Sequence, residues 1–361
     1  MEQTSQRELR TVDPTWTLAE LMAHLTQAVT SKGPALALTH SQNKFVEPEV
    51  SLVVSTSGTT GINKEVLISA SALVATAQAS NKYLGAKTGQ KWSLLLPLTH
   101  IAGINVLMRS IELESEPIDL RNVKGIYPQA DFTAIVPTQL YRALNGEGDL
   151  LEHLKKAKAV LIGGGKLSSQ LRSQAQDAGI KVVESYGMTE TTGGCVYDGK
   201  VLEGTSLEIG TDGRIRISGS CLASGYLGRE NLWQQSFDGR WFTTSDLGKI
   251  VDGKLKVSSR TDDIVVSGGE NISLVAIENA IANEFPKINV AAFAIPDSEW
   301  GSAIHIAIAG EKIAEESIQV VLQASLGRAS KAKAIHFIDR IPVGALGKVD
   351  REKLIEMVEK K

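Results

Sequence analysis

The chain has 361 residues, more than one hydrophobic core usually serves, so two domains are expected. An apolar content of 42% and a charged content of 22% are ordinary for a soluble globular protein. The net charge is −3 with both signs mixed along the length, which excludes the kind of basic block that recruits nucleic acid or an anionic membrane.

The first ten residues are polar and charged, unlike a signal peptide, and no apolar run is long enough to span a bilayer. Residues 17–29 have helical spacing, with Leu18, Leu21, Met22 and Leu25 on one face. Residues 50–54 form a short β-branched run that predicts a strand. It opens into a Gly-, Ser- and Thr-rich loop at 55–61, and a helix is expected over 69–84. A strand at 91–96 and a helix at 102–111 follow. Strand and helix signals then alternate at 134–136, 139–144, 157–162, 168–178 and 181–185, a pattern that argues for parallel strands joined by crossover helices. Residues 203–226 change to short strands broken by Gly and Asp-Gly turns, as in a small antiparallel barrel. From about residue 260 the pattern changes again: a helix at 275–281, strands at 290–295 and 303–309, and a helix at 316–326. This predicts a separate α+β unit of about a hundred residues. Cys195 and Cys221 cannot build a disulfide framework and have no metal-type spacing, so a cytoplasmic protein is expected.

Several polar stretches could carry chemistry. Thr56, Ser57, Gly58, Thr59, Thr60 and Gly61, ending at Lys64, follow a strand. Glycines let backbone N–H groups converge and the hydroxyls add donors, so such a loop can wrap a polyphosphate while Lys64 supplies a point charge. The spacing is not that of a P-loop. Ser185-Tyr186-Gly187-Met188-Thr189-Glu190 is expected at a strand end, where α/β folds place ligands. Tyr186 offers a stacking face, Thr189 a hydroxyl, and Glu190 a hard oxygen for Mg2+. Taken alone, a Tyr-Gly turn with a solvated Glu is the commoner explanation. Gly163, Gly164 and Gly165 either let a planar group approach the backbone or make a simple turn. Asp246 after an aromatic strand could accept both hydroxyls of a ribose, or cap a turn. Gly268 and Gly269 suit a hinge or a hairpin, and Lys348 stands in a Gly-rich loop near the C-terminus.

Each motif is common singly; their order is not. STSGTTGINK, SYGMTET, WFTTSD, SSRTDDIVVSGGEN and GALGKVDR together resemble the adenylate-forming superfamily of acyl-CoA synthetases, luciferases and peptide-synthetase adenylation domains. The resemblance covers roughly residues 50–351. It implies a truncated adenylate-forming fold of mixed α/β and α+β class. A large N-terminal domain at 1–259 would carry a mixed sheet and a small barrel-like part. A hinge at 260–263 and a small mobile α+β domain at 264–361 would follow. It also implies the chemistry: a carboxylate attacks the α-phosphate of Mg·ATP, and a thiol then takes the acyl group and releases AMP.

By the same resemblance, the loop from Thr56 to Lys64 would hold the outer phosphates, Tyr186 would lie on adenine, and Gly163–Gly165 would line the pocket. Thr189 would touch the α-phosphate, Glu190 would bind Mg2+, and Asp246 and Arg260 would hold the ribose. Lys348 would bridge carboxylate and phosphate in the displacement. Asp262 matches the hinge, and Gly268 and Gly269 match the CoA-side loop. Ser245, Leu274 and Ala276 depart from the usual residues, and the segment before the phosphate loop is much shorter than usual, so much of the first subdomain is expected to be missing.

The stretch from Pro97 to Arg109 bears on the acid. Ile104, Leu107, Met108 and Ile111 form an apolar stripe, and Asn105 and Arg109, four apart, share another face. An arginine there could pair with a second carboxylate, although a solvated arginine is the commoner case. Together with SYGMTETTGGCVYDG and the short N-terminus, this stretch resembles the o-succinylbenzoate–CoA ligases of menaquinone synthesis, the short actinobacterial type. That resemblance implies substrate contacts from His100, Asn105, Arg109, Gly187 and Met188. It also implies Mg2+, with ATP and CoA as co-substrates, and small-molecule partners only; homo-oligomerisation stays compatible. The rival expectations are another aryl- or acyl-CoA ligase, a free-standing adenylation enzyme loading a carrier protein, and a non-catalytic descendant.

Overall fold

In the computed structural model the described residues are 6–56, 64–267, 269–298, 300–327, 330–343 and 349–359. The chain divides into two units: residues 1–244 with 250–256, and residues 245–249 with 257–361.

The first unit is built on two larger sheets. One has strand order Gly225–Tyr226, Lys64–Ser69, Val50–Thr56, Ala35–Ala37, Arg7–Thr11, Phe45–Val46. The other runs Lys200–Val201, Gly193–Tyr197, Val182–Met188, Ala159–Ile162, Phe132–Ile135, Trp92–Leu94, Ile118–Asp119. Its five strands from Val182–Met188 to Ile118–Asp119 are parallel, as the alternation predicts. Such strands are covered on both faces, which is why Ala159–Ile162 and Phe132–Ile135 are buried along their whole length. Helices Pro137–Leu144, Gly148–Lys156 and Ser169–Asp177 pack Leu140, Leu150, Leu154 and Ala175 against Ile135, Val160 and Ile162. The helix Gly148–Lys156 was not expected from the sequence. Thr205–Ile209 and Arg214–Gly219 pair antiparallel in a smaller sheet that also takes in Phe237–Asp238 and Trp241–Val251.

Helix starts follow their capping residues. Thr17 accepts from the Glu20 N–H while the Glu20 carboxylate accepts from the Thr17 N–H, so the helix begins at Leu18. Ser69 and Ser168 cap Ala70–Tyr83 and Ser169–Asp177 with the hydroxyl alone, accepting from the Ala72 and Leu171 N–H groups. One strand lies where no element was expected, and one strand end needs correction. Lys64 opens a strand, Lys64–Ser69, which pairs with Val50–Thr56 in the register Thr56 to Lys64. The continuous apolar run Val66-Leu67-Ile68 conceals it, because such a run fits a buried strand or a helix start equally. The strand at 181–185 extends to Met188, so Tyr186 and Gly187 lie within it, with a register shift between them.

The second unit is an antiparallel sheet in the order Glu270–Ser273, Ile264–Ser267, Gly301–Gly310, Ile288–Asp297, with Ala334–Phe337 added parallel to Gly301–Gly310. Side chains alternate between its faces. Ile288, Ala292, Ile304, Ile306 and Ile308 meet the helices Leu274–Glu284 and Glu315–Leu326, while Ala291, Phe293 and Ala307 meet Leu354 of the helix Arg351–Glu359. Ser267 pairs with Glu270 in a hairpin. Among the described residues, no helix is long and apolar enough to cross a membrane.

Candidate active site

In the first unit the ends of parallel strands gather the expected residues. Ala159–Ile162 runs into Gly163, whose N–H donates to Ile135 O at 3.2 Å, and Gly164 and Gly165 are exposed beyond it. A Cβ on Gly163 would lie 3.3 Å from Ser185 O, so this turn is against the strand carrying Tyr186. Tyr186, Gly187, Met188, Thr189 and Glu190 are all half-buried along that edge. This is where an open parallel sheet offers a crevice.

Gly187 is dictated by packing: a Cβ there would fall 1.9 Å from Gly193 O. Between them lies a tight turn, Thr189–Thr191, followed by Thr192 at φ 53, a left-handed conformation unusual for a β-branched residue. Thr191 Oγ1 accepts from the Met188 N–H at 2.9 Å and reaches Gly193 O at 2.8 Å. Asn105 Nδ2 donates to Thr192 O at 2.7 Å. Glu190 is thereby carried on a turn held from both sides. The Tyr226 hydroxyl donates to Glu190 Oε1 at 2.8 Å, and Lys64 Nζ lies 5.0 Å from the centre of the Tyr226 ring. Burial, and secondarily the Glu190 charge, push the Tyr226 phenol well above its usual pKa, so it remains a donor. Thr56 Oγ1 contacts Lys64 O at 3.4 Å. Ser57, Gly58, Thr59, Thr60 and Gly61 lie outside the described residues.

The helix Ile101–Glu112 starts at His100, half-buried, with Nδ1 3.1 Å from Thr99 Oγ1. Its polar face is covered as fully as its apolar one: Asn105 is 1% exposed and Arg109 4%. Arg109 is therefore no solvated surface arginine. Its guanidinium carbon lies 4.7 Å from the Trp92 ring centre and Nη2 is 3.3 Å from Tyr197 Oη, which meets Ser80 Oγ at 2.8 Å. Asn105 Oδ1, Arg109 Nε and Nη1, and Thr192 Oγ1 are buried with no protein partner among the described residues. Unpaired buried donors and acceptors on one face call for a polar partner.

In the second unit Asp246 and Arg260 come together. Asp246 lies inside the strand Trp241–Val251 rather than after a strand, and Arg260 ends Lys254–Arg260. Arg260 Nη1 is 3.1 Å from Asp246 Oδ1, and the carboxylate side chain is 9% exposed against 39% for the guanidinium. Asp262 falls in the turn Thr261–Asp263, and Asp263 pairs with Arg351 at 3.2 Å. Gly269 is exposed with φ +82. Gly268 and Lys348 lie outside the described residues. The carboxylate of Glu190 fits Mg2+ chemically, since that ion takes one or two carboxylates and completes its octahedron with phosphate and water. Among the described residues there is no group of three metal-ligating side chains.

No site role was expected of Tyr226 or Tyr197. Tyr226 lies outside the motifs and Tyr197 near the end of SYGMTETTGGCVYDG, and each acts through a partner distant along the chain, so no local signal marks its role.

Comparison with known proteins adds to this geometry. A family model described as AMP-binding enzyme matches residues 4–207. A Mycobacterium tuberculosis relative named "Probable 2-succinylbenzoate--CoA ligase" is 33% identical, over 93% of this chain and 94% of its own. A Listeria monocytogenes 2-succinylbenzoate–CoA ligase is 30% identical, over 84% of this chain and 69% of its own. The solved structure of Bacillus subtilis o-succinylbenzoate CoA synthetase with its acyl-adenylate intermediate shares the fold, at TM-score 0.74 and 22% identity, covering 92% of this chain and 80% of that one. A second structure of that synthetase, in complex with ATP and magnesium ion, gives TM-score 0.73 at 22% identity, over 92% of this chain and 82% of the other. The chain belongs to the AMP-binding enzyme family, among its AMP-forming acyl-CoA ligases.

Proposed function

We propose that the chain joins 2-succinylbenzoate to CoA: carboxylate and ATP give the acyl-adenylate and pyrophosphate, and CoA then displaces AMP. The observation that carries the choice of acid is the buried Arg109, with two guanidinium nitrogens lacking a protein partner among the described residues, on the helix that follows His100. A second carboxylate on the substrate matches that need. The names of the relatives support the same acid.

In the first step the substrate carboxylate oxygen bonds to the α-phosphorus and the bond to the bridging oxygen breaks, sending the electron pair to pyrophosphate. Catalysis here is positioning and electrostatic stabilisation. Lys64 and the hydroxyls from Thr56 to Thr60 bind the outer phosphates, Thr189 donates to the α-phosphate, and Tyr186 with Gly163–Gly165 holds the base. Asp246 and Arg260 hold the ribose. Glu190 would hold the Mg2+ that accompanies ATP, and the ion would neutralise phosphate charge. Lys348 brings an ammonium to the reacting oxygens. In the second step the CoA sulfur bonds to the acyl carbon and the acyl–phosphate bond breaks, releasing AMP. A turn about Asp262, between the domains 1–259 and 264–361, would remove Lys348 and present Gly268 and Gly269 to the thiol.

Pyrophosphate release with 2-succinylbenzoate against a panel of aryl and fatty acids tests the acid, and thioester analysis with CoA or a carrier protein tests the acceptor. A parent protein equally active on benzoate, or one that acylates only a carrier, would remove this assignment.

A further inference from the structure

Tyr226 has two contacts that the chemistry above leaves unused. Its hydroxyl donates to Glu190 Oε1 at 2.8 Å, and its ring faces Lys64 Nζ at 5.0 Å. The residue is 3% exposed and packs edge-on against Trp233, with ring centres 5.1 Å apart. Its backbone pairs with Val66, just beyond Lys64, while the Ala223 N–H donates to Glu190 O at 2.9 Å and the Leu227 N–H donates to Glu65 O at 2.8 Å. Residues 223–227 are therefore stitched on one side to the turn bearing Glu190 and on the other to the strand that leaves the phosphate loop. Within the described residues Glu190 Oε2 has no protein partner and Lys64 no ion pair, so each is open to a further partner.

We propose that Tyr226 is a positioning residue for the nucleotide's metal and phosphates. By tying one Glu190 oxygen it turns the other toward the cation that accompanies ATP, and its ring holds the Lys64 ammonium beside the same phosphates. A single aromatic side chain thus sets the spacing of the acidic and basic ends of the phosphate site. This rests on the function proposed above, in which Glu190 and Lys64 serve Mg·ATP. The bland alternative is a core tyrosine that satisfies its hydroxyl with the nearest carboxylate.

Tyr226→Phe separates the two, because it keeps the ring against Trp233 and Lys64 and deletes only the hydrogen bond. ATP binding is measured by calorimetry without acid, once in EDTA and once across a magnesium titration. The expected result is unchanged affinity in EDTA and a roughly tenfold loss of the tightening that magnesium brings, the size of one charge-assisted hydrogen bond. Half-saturating magnesium for pyrophosphate release should rise with it. In a Glu190→Gln background the same substitution should change nothing further. A magnesium titration that overlays the parent's overturns the proposal, as does an equal effect in both backgrounds, including one from partial unfolding. A parent that binds Mg·ATP but releases no pyrophosphate with 2-succinylbenzoate fails the functional assignment while leaving this comparison intact.

Discussion

The Arg109 guanidinium lies over the Trp92 ring, its carbon 4.7 Å from the ring centre, with both residues buried. The contact offsets part of the desolvation cost but satisfies no N–H donor. Cations kept in such surroundings often lower stability. Arg109→Met should therefore raise the unfolding free energy by about 1–3 kcal/mol. It should also raise KM for 2-succinylbenzoate about tenfold or more, as expected when a charged hydrogen-bonding partner is lost. Urea melts and kinetics with 2-succinylbenzoate and benzoate check both; equal KM effects on the two acids would refute the pairing.

The Asp246 carboxylate, under Arg260, is the expected ribose acceptor. Asp246→Asn should raise KM for ATP about ten- to a hundredfold, the range for a charged hydrogen bond. The discrimination between ATP and 2′-deoxy-ATP should also fall toward unity. Discrimination that survives intact in the variant would place the ribose elsewhere.

Lys348→Ala should lower the adenylation rate by about two to three orders of magnitude, the range for removing one donor aimed at developing charge. Nucleotide affinity should change little. Single-turnover formation of acyl-adenylate is the measurement, and near-parental rates would exclude the lysine from the chemical step.

His153 is 3% exposed and meets Ser93 Oγ through Nε2 at 2.9 Å. Burial depresses its pKa below the usual histidine value. The folded state thus prefers the neutral ring, and the unfolded chain takes up the proton first. Its contribution is complete above about pH 6.5 and is lost as pH falls below that, by at most about 1.4 kcal/mol per unit. Melting curves from pH 7.5 to 5.0 should fall less steeply for His153→Gln than for the parent.

Arg7 binds Gly33 O through Nε and Nη2, Ala28 O through Nη2, and Val50 O and Ser51 Oγ through Nη1, at 2.5–3.1 Å. Burial lowers its pKa. One guanidinium thus ties the first strand to the end of the first helix and to the strand that leads into the phosphate loop. A lysine cannot reach these acceptors together. Arg7→Lys should cost about 2–4 kcal/mol, from several charged hydrogen bonds of which some are remade by water. Rates at low temperature should change little, and chemical denaturation decides.

Helix starts and sheet type were legible because their causes are local. Thr17, Ser69 and Ser168 cap the residues that follow them, and buried parallel strands have to be apolar throughout. The polar motifs were legible as well, since phosphate, metal and ribose each require particular side chains at close spacing. Lys64–Ser69 was not, because what makes it a strand is pairing with Val50–Thr56 and with Gly225–Tyr226, and the last partner is remote in sequence. Nor was the burial of Arg109. Helical spacing places Asn105 and Arg109 on a common face, but whether water or protein covers that face depends on Tyr197, Trp92 and Thr192.

The sequence by itself determined the order of the motifs, the kinds of group available to each ligand and the alternation that builds a parallel sheet, all properties of residues near one another in the chain. Tertiary structure alone decided which charges meet. It set Tyr226 between Lys64 and Glu190, and it enclosed the Arg109 cation with no carboxylate partner among the described residues. Electrostatic energies depend on distance and desolvation, and both are fixed only when remote segments pack together.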